Sequence, residues 1–175
     1  MSRPLYENSN SLKEEVKFFR DLRRVDEYKG YRFQKLPLSY RLECAIEDIP
    51  SGAVIGFCEF KRRSNRREYY PTVLLSLHKY MSLRDYGEFG QSFLIVRWSD
   101  VDGIHHVNAH ESDVSDYKIA WGGRRDRNDW QDIEPTIHIP INDFEIVDTE
   151  RRSLSKQEEA ELEANFRSGK GWKVG

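Results

Sequence analysis

RLECAIEDIPSGAVIGFCEFK, residues 41–61, reads as two strands joined by a tight turn. Tyr40, Leu42, Cys44 and Ile46 fall at every second position, the pattern of a half-buried strand. Pro50, Ser51 and Gly52 supply turn chemistry, a fixed φ followed by a permissive residue. Residues 53–60 are then almost wholly apolar, as expected of a central strand covered on both faces. Glu59 and Lys61 break that run and, being two apart, point to one side of the sheet.

Folding this hairpin about Ser51 sets Glu43 opposite Glu59 and Cys44 opposite Cys58. Opposed residues of antiparallel strands hold their Cβ atoms about 4.5–5.5 Å apart. Two carboxylates then stand side by side with an ammonium just beyond them. Such like charges repel, and one must take up a proton unless a cation intervenes. A hard divalent ion with oxygen ligands is the economical answer. The same register buries the thiols on the face turned away from the carboxylates. Two cysteines make no disulfide framework, so both are expected reduced, in a cytoplasmic protein.

A carboxylate on one strand and Glu-x-Lys on its neighbour resemble the PD-(D/E)XK nuclease superfamily. Glu59-Phe60-Lys61 matches the (D/E)-x-K element, and Glu43 falls where that family carries its aspartate. The chain departs from the pattern in lacking a Pro-Asp pair there. KLPLSY (35–40) and YPTVLLSLHKY (70–80) further resemble small phage-borne or metagenomic members. The resemblance spans about residues 11–109. It implies a restriction-endonuclease-like α/β fold: a mixed central sheet flanked by helices, here with a β-rich C-terminal extension. It also implies Mg²⁺- or Mn²⁺-dependent hydrolysis of phosphodiesters in nucleic acid, DNA favoured over RNA, and is compatible with a homodimer. On this resemblance Glu43 and Glu59 hold the ion with the Phe60 carbonyl. Lys61 positions the attacking water or stabilises developing charge, and Glu15 is the first helix's additional metal-side glutamate.

Outward from the hairpin, residues 11–28 carry a helical stripe of Leu12, Val16, Phe19 and Leu22. Ser11 and Glu14 have capping-box spacing, and Gly30 stops the helix. Glu15 edges the stripe, with a solvated helix face as the competing reading. Residues 1–10 read as a loose arm and 31–35 as a short strand. Past the hairpin, Lys61, Arg62, Arg63, Arg66 and Arg67 make five of seven residues basic. That loop suits phosphates, whose neutralisation releases counterions; a solvated turn is the alternative.

A helix is expected from Tyr70-Pro71, with Val73, Leu74, Leu77, Met81 and Leu83 as its apolar face and Lys79 as a second phosphate contact. Residues 92–98 form an apolar strand, and so long a crossover favours parallel pairing with an earlier strand. Asp100 to Gly103 turn into a strand at 104–109. His105, His106 and His110 do not make a zinc site, because 105 and 106 point to opposite faces and no cysteine is near. Arg124, Arg125 and Arg127 form a second basic loop, a nucleic-acid clamp or merely a hairpin tip. Strands are expected at 136–141 and 144–147. A polar helix at 156–166 trails into a tail that reads as peripheral. The boundaries are therefore 1–150 for the nuclease-like domain and 151–175 for the helix and tail.

The composition fits an ordinary globular domain: 175 residues, 33% charged and 38% hydrophobic, with a net charge of −2. That balance demands that any nucleic-acid surface be a local patch. No apolar run approaches the roughly 20 residues of a membrane span, and no signal-peptide pattern opens the chain. Two other classes stay open from the sequence: a catalytically silent nucleic-acid binder on the same fold, and a structural or assembly protein.

Overall fold

The computed structural model describes residues 8–37, 39–108, 116–126 and 128–175. Its chain begins with α1 (Ser9–Leu22), β1 (Tyr31–Lys35), β2 (Cys44–Asp48) and β3 (Val54–Arg62). These are followed by β4 (Thr72–Ser76), α2 (Leu77–Tyr86), β5 (Gln91–Arg97) and β6 (Asp102–His106). The C-terminal part adds β7 (Lys118–Gly123), β8 (Ile133–Pro140), β9 (Glu145–Val147), α3 (Lys156–Arg167) and β10 (Lys173–Val174). Seven strands make one mixed sheet in the order β10-β1-β2-β3-β5-β6-β9, and β4-β8-β7 make a second, antiparallel sheet. This mixed α/β architecture is the one the hairpin's resemblance implies.

The expected hairpin register holds at its open end, with Cys44 opposite Cys58, Ala45 opposite Phe57 and Ile46 opposite Gly56. A bulge at Ile46/Glu47 then shifts the pairing by one. β3 runs parallel to β5, pairing Glu59 with Leu94 and Lys61 with Val96. That is the parallel crossover anticipated from the chain length between them. Alternate residues of β3 and β5 feed two cores, one on each face of the large sheet. Phe18, Phe19, Phe33, Cys44, Cys58 and Phe60 fill the α1 side. Leu42, Tyr80, Leu83, Leu94, Val96, Ile137 and Ile139 fill the α2 side, roofed by the second sheet. Each fully buried large side chain contributes roughly 1.5–3 kcal/mol, so these two layers dominate the stability.

Several boundaries differ from the sequence reading, each for a physical reason. α1 starts earlier, at Ser9, because Asn8 rather than Ser11 is the cap; its Oδ1 accepts from the Ser11 amide at 2.9 Å. It also ends earlier, at Leu22, and the chain continues to Gly30 in turns. Residues 72–76 are a strand, not the start of a helix: Val73 and Leu75 are buried while Leu74 faces out, a period of two. Antiparallel pairing with β8 overrides the helical reading, and α2 begins only at Leu77. The expected strand at 136–141 is the longer Ile133–Pro140. The strand expected at 104–109 is Asp102–His106, with Ala109 outside the described residues. The C-terminal tail is not peripheral. Trp172 is buried against Phe19, and β10 pairs with β1 as the sheet's edge.

Candidate active site

Glu43 lies one residue before β2, held by flanking side chains that face opposite ways. Leu42 is buried in the α2-side core and Cys44 in the α1-side core. The Glu43 carbonyl accepts from the Leu36 amide at 2.8 Å, fixing this backbone to the end of β1. Its carboxylate accepts from the Phe60 amide at 3.2 Å. Beyond the last ladder pair, Cys44 with Cys58, a side chain thus stands in for the missing backbone acceptor.

Glu59, on β3, is 1% exposed. Lys61 Nζ lies 3.5 Å from its Oε1, and Lys79 Nζ, from the first turn of α2, lies 3.3 Å from its Oε2. Burial and the nearby Glu43 charge push the Glu59 carboxyl upward, while the two lysines act to lower it. Its Oε1 is fully enclosed and receives no hydrogen bond from the described residues. Unsatisfied buried carboxylate oxygens are costly, and they collect where a cation or substrate group is meant to bind.

Glu15 faces the other side of β3, on α1. Trp172 Nε1 donates to its Oε2 at 2.7 Å and Lys35 Nζ to its Oε1 at 3.2 Å. Burial, opposed by Lys35 and reinforced by Glu43, raises its pKa to about 7. Glu43 therefore influences both glutamates, Glu59 on the α2 side and Glu15 on the α1 side. Sequence reasoning missed Lys35 and Trp172 as partners of Glu15. Trp172 is 157 residues away along the chain, and no local pattern could have joined them.

The basic residues fall into two groups. Arg63 donates to the Leu74 carbonyl at 3.1 Å, and Arg67 to the Ile141 carbonyl at 3.0 Å, tying the loop to the second sheet. Arg62 and Arg66 point outward and pair loosely with Glu14 and Asp100, each at 3.6 Å. Arg124 and Arg125 are exposed near the β7–β8 tip, Arg124 beside Asp126 at 3.3 Å, while Arg127 lies outside the described residues. His105 is buried with Nδ1 at 3.0 Å from the Asp143 carbonyl, and burial lowers its pKa. His106 sits on the exposed side, and His110 is outside the described residues.

Among the described residues, no group of three or more His, Cys, Asp or Glu is placed to hold a metal ion. Glu43 and Glu59 remain, the latter with an Oε1 that no described residue hydrogen-bonds and that Lys61 Nζ meets only at 3.5 Å. Such a set suits a hard divalent cation that keeps several waters and takes only one or two protein carboxylates. No helix of the described chain is long and apolar enough to cross a membrane.

The family model described as "Phage putative PDDEXK endonuclease" covers residues 1–147. No curated protein and no solved structure matches the chain.

Proposed function

Because the chain belongs to this phage PDDEXK endonuclease family, we propose that it hydrolyses phosphodiester bonds in DNA with the help of Mg²⁺. The observation that carries the proposal is the enclosed Oε1 of Glu59 on β3, which no described residue hydrogen-bonds and which the Lys61 ammonium approaches only to 3.5 Å, beside Glu43. Glu43 and Glu59 would hold the ion, with the Phe60 carbonyl as third oxygen. Bound there, a divalent ion supplies Lewis-acid polarisation of the phosphate and lowers the pKa of a coordinated water. The remaining roles belong to the chain. The Phe60 amide orients the Glu43 carboxylate. The Lys61 ammonium, still 31% exposed, reaches solvent and can donate to the attacking water or to a non-bridging phosphate oxygen. Lys79 balances Glu59 while no substrate is present and offers a second donor when phosphate arrives.

One observation favours a rival. Two lysines already compensate Glu59 without any ion, as they would in a silent nucleic-acid binder. Incubating the purified protein with supercoiled plasmid, a labelled single strand and a labelled RNA, with Mg²⁺ or with chelator, separates the two. Metal-dependent cutting of DNA is the expected result. Binding with no cutting of any substrate in Mg²⁺ or Mn²⁺ would leave the binder.

A further inference from the structure

Two cavities meet beside the candidate site. One, of about 840 Å³, contains Glu43 and Phe60; the other, of about 480 Å³, lies between α1, the 62–64 loop and residues 151–153. Glu14, Lys17, Arg62 and Ser64 line both, so the two form one groove. Its ends differ in charge. With the shared residues counted in each, the cavity at the Glu43 end carries four acidic side chains against three basic ones, whereas the far cavity carries six basic against one acidic.

Three of those six cations are committed to the fold. Arg97 is 5% exposed and bonds Asp102 at 2.9 Å through two nitrogens, and Asp21 at 3.1 Å. Arg63 is held by the Leu74 carbonyl, and Arg151 by the Trp98 carbonyl at 2.7 Å and Asp102 at 3.0 Å. Lys17, Arg62 and Arg152 remain, with side chains 31%, 62% and 58% exposed. Lys17 and Arg62 both lean on Glu14 at 3.6 Å, beyond hydrogen-bonding distance. Arg152 meets Glu150 at 2.6 Å, but that carboxylate is 74% exposed. Exposed pairs of this kind are worth about 0–1 kcal/mol, so phosphate oxygens can displace them.

We infer that this groove is the track of the substrate's sugar–phosphate backbone, with Lys17, Arg62 and Arg152 contacting consecutive phosphates leading from the Glu43 end. The inference rests on the nuclease reading of the site and adds to it a direction and a new wall. Arg152 lies beyond residues 1–147, so the C-terminal segment would contribute substrate contacts that the family-matched part lacks. A polyanion suits the groove better than a lone anion. Its far end attracts phosphates, while the carboxylates at its near end repel them until a cation is present. The contacts are to backbone and carry no sequence preference.

The test is binding of a fluorescent DNA duplex across a NaCl series, in chelator and in a Glu59→Gln background that cannot confuse binding with cutting. Replacing Lys17, Arg62 and Arg152 together by alanine should reduce the slope of log K against log salt by about 2–3, since each phosphate contact contributes about 0.9. Affinity near 0.1 M salt should fall by roughly a hundredfold or more. The charge-keeping triple variant Lys17→Arg, Arg62→Lys, Arg152→Lys should hold the parent slope, which separates lost charge from lost fold. Lys29→Ala, at the opposite end of β1, should also hold it. An unchanged slope in the alanine variant overturns the groove while leaving the nuclease reading intact if the wild type still cuts. A slope reduced as much by Lys29→Ala overturns it too. A Glu59→Gln parent that does not bind, together with a wild type that does not cut in Mg²⁺, overturns both.

Discussion

Glu15 gives the sharpest quantitative test of the packing around the site. Its carboxyl is buried beneath Trp172 and Lys35, and its pKa rises from 4.5 to about 7. Burial is the largest cause. A raised acid favours the folded state in its protonated form. Its contribution is therefore fully present below about pH 4.5, declines as pH rises, and is fully lost above about pH 7. At 1.36 kcal/mol per unit the full swing is about 3 kcal/mol, of which roughly 2.5 falls between pH 5 and pH 8. Glu15→Gln removes the titration while keeping the shape. Thermal unfolding at a series of pH values should show the wild type losing stability relative to the variant as pH rises. For a chain of this size the relative shift in Tm is roughly 5–10 °C. His105 works in the opposite direction, since burial lowers its pKa and acid then destabilises the fold. It is present in both proteins and cancels in the comparison. Parallel stability curves for the two proteins would refute the buried placement of Glu15 beneath the C-terminal tryptophan.

Three further outcomes follow from the packing. Arg97→Ala leaves Asp21 and Asp102 buried without their shared cation and should cost about 3–5 kcal/mol by denaturant unfolding. Cys44 and Cys58 are free and buried, and burial raises the Cys58 thiol. A thiol reagent should count two groups in the denatured, unreduced protein and react slowly with the native one. Arg67→Ala should cost about 1–3 kcal/mol through its lost carbonyl and Asn142 contacts, whereas Arg66→Ala should stay within about 0.5 kcal/mol.

The residues that could be read from sequence were those whose partners are close along the chain or across one hairpin. The alternation of Cys44 and Ile46, the turn at Pro50 to Gly52 and the apolar run after it leave little freedom of register, and Cys44 faces Cys58 accordingly. The expected alternation fails at Tyr40 and Leu42, which precede β2, with Leu42 packed on the opposite face from Cys44. Thr72 to Ser76 misled because a short apolar run preceding a helix carries no periodicity of its own. Its strand character comes from β8, some sixty residues later. Arg62, Arg63, Arg66 and Arg67 look alike in sequence, yet two anchor the loop to backbone carbonyls and two face solvent. That difference depends on where the second sheet lies. Nor did spacing reveal the ion-pair network joining Asp21, Arg97, Asp102 and Arg151, which spans α1, β5, β6 and the segment before α3. Buried charges find partners by tertiary proximity, and only the folded chain supplies it.

The proposal as a whole turns on Glu59. Glu59→Gln preserves the side chain's size and removes the charge proposed to hold the ion, beside Glu43 and between two lysines. Wild type and variant should be incubated with labelled duplex DNA in Mg²⁺, and their single-turnover cleavage rates compared with their affinities measured in chelator. The account predicts cleavage lowered by roughly three orders of magnitude or more. It predicts binding retained or tightened, because a carboxylate facing phosphates repels them until a cation neutralises it. Equal cleavage by both proteins would contradict it and remove Glu59 from the site.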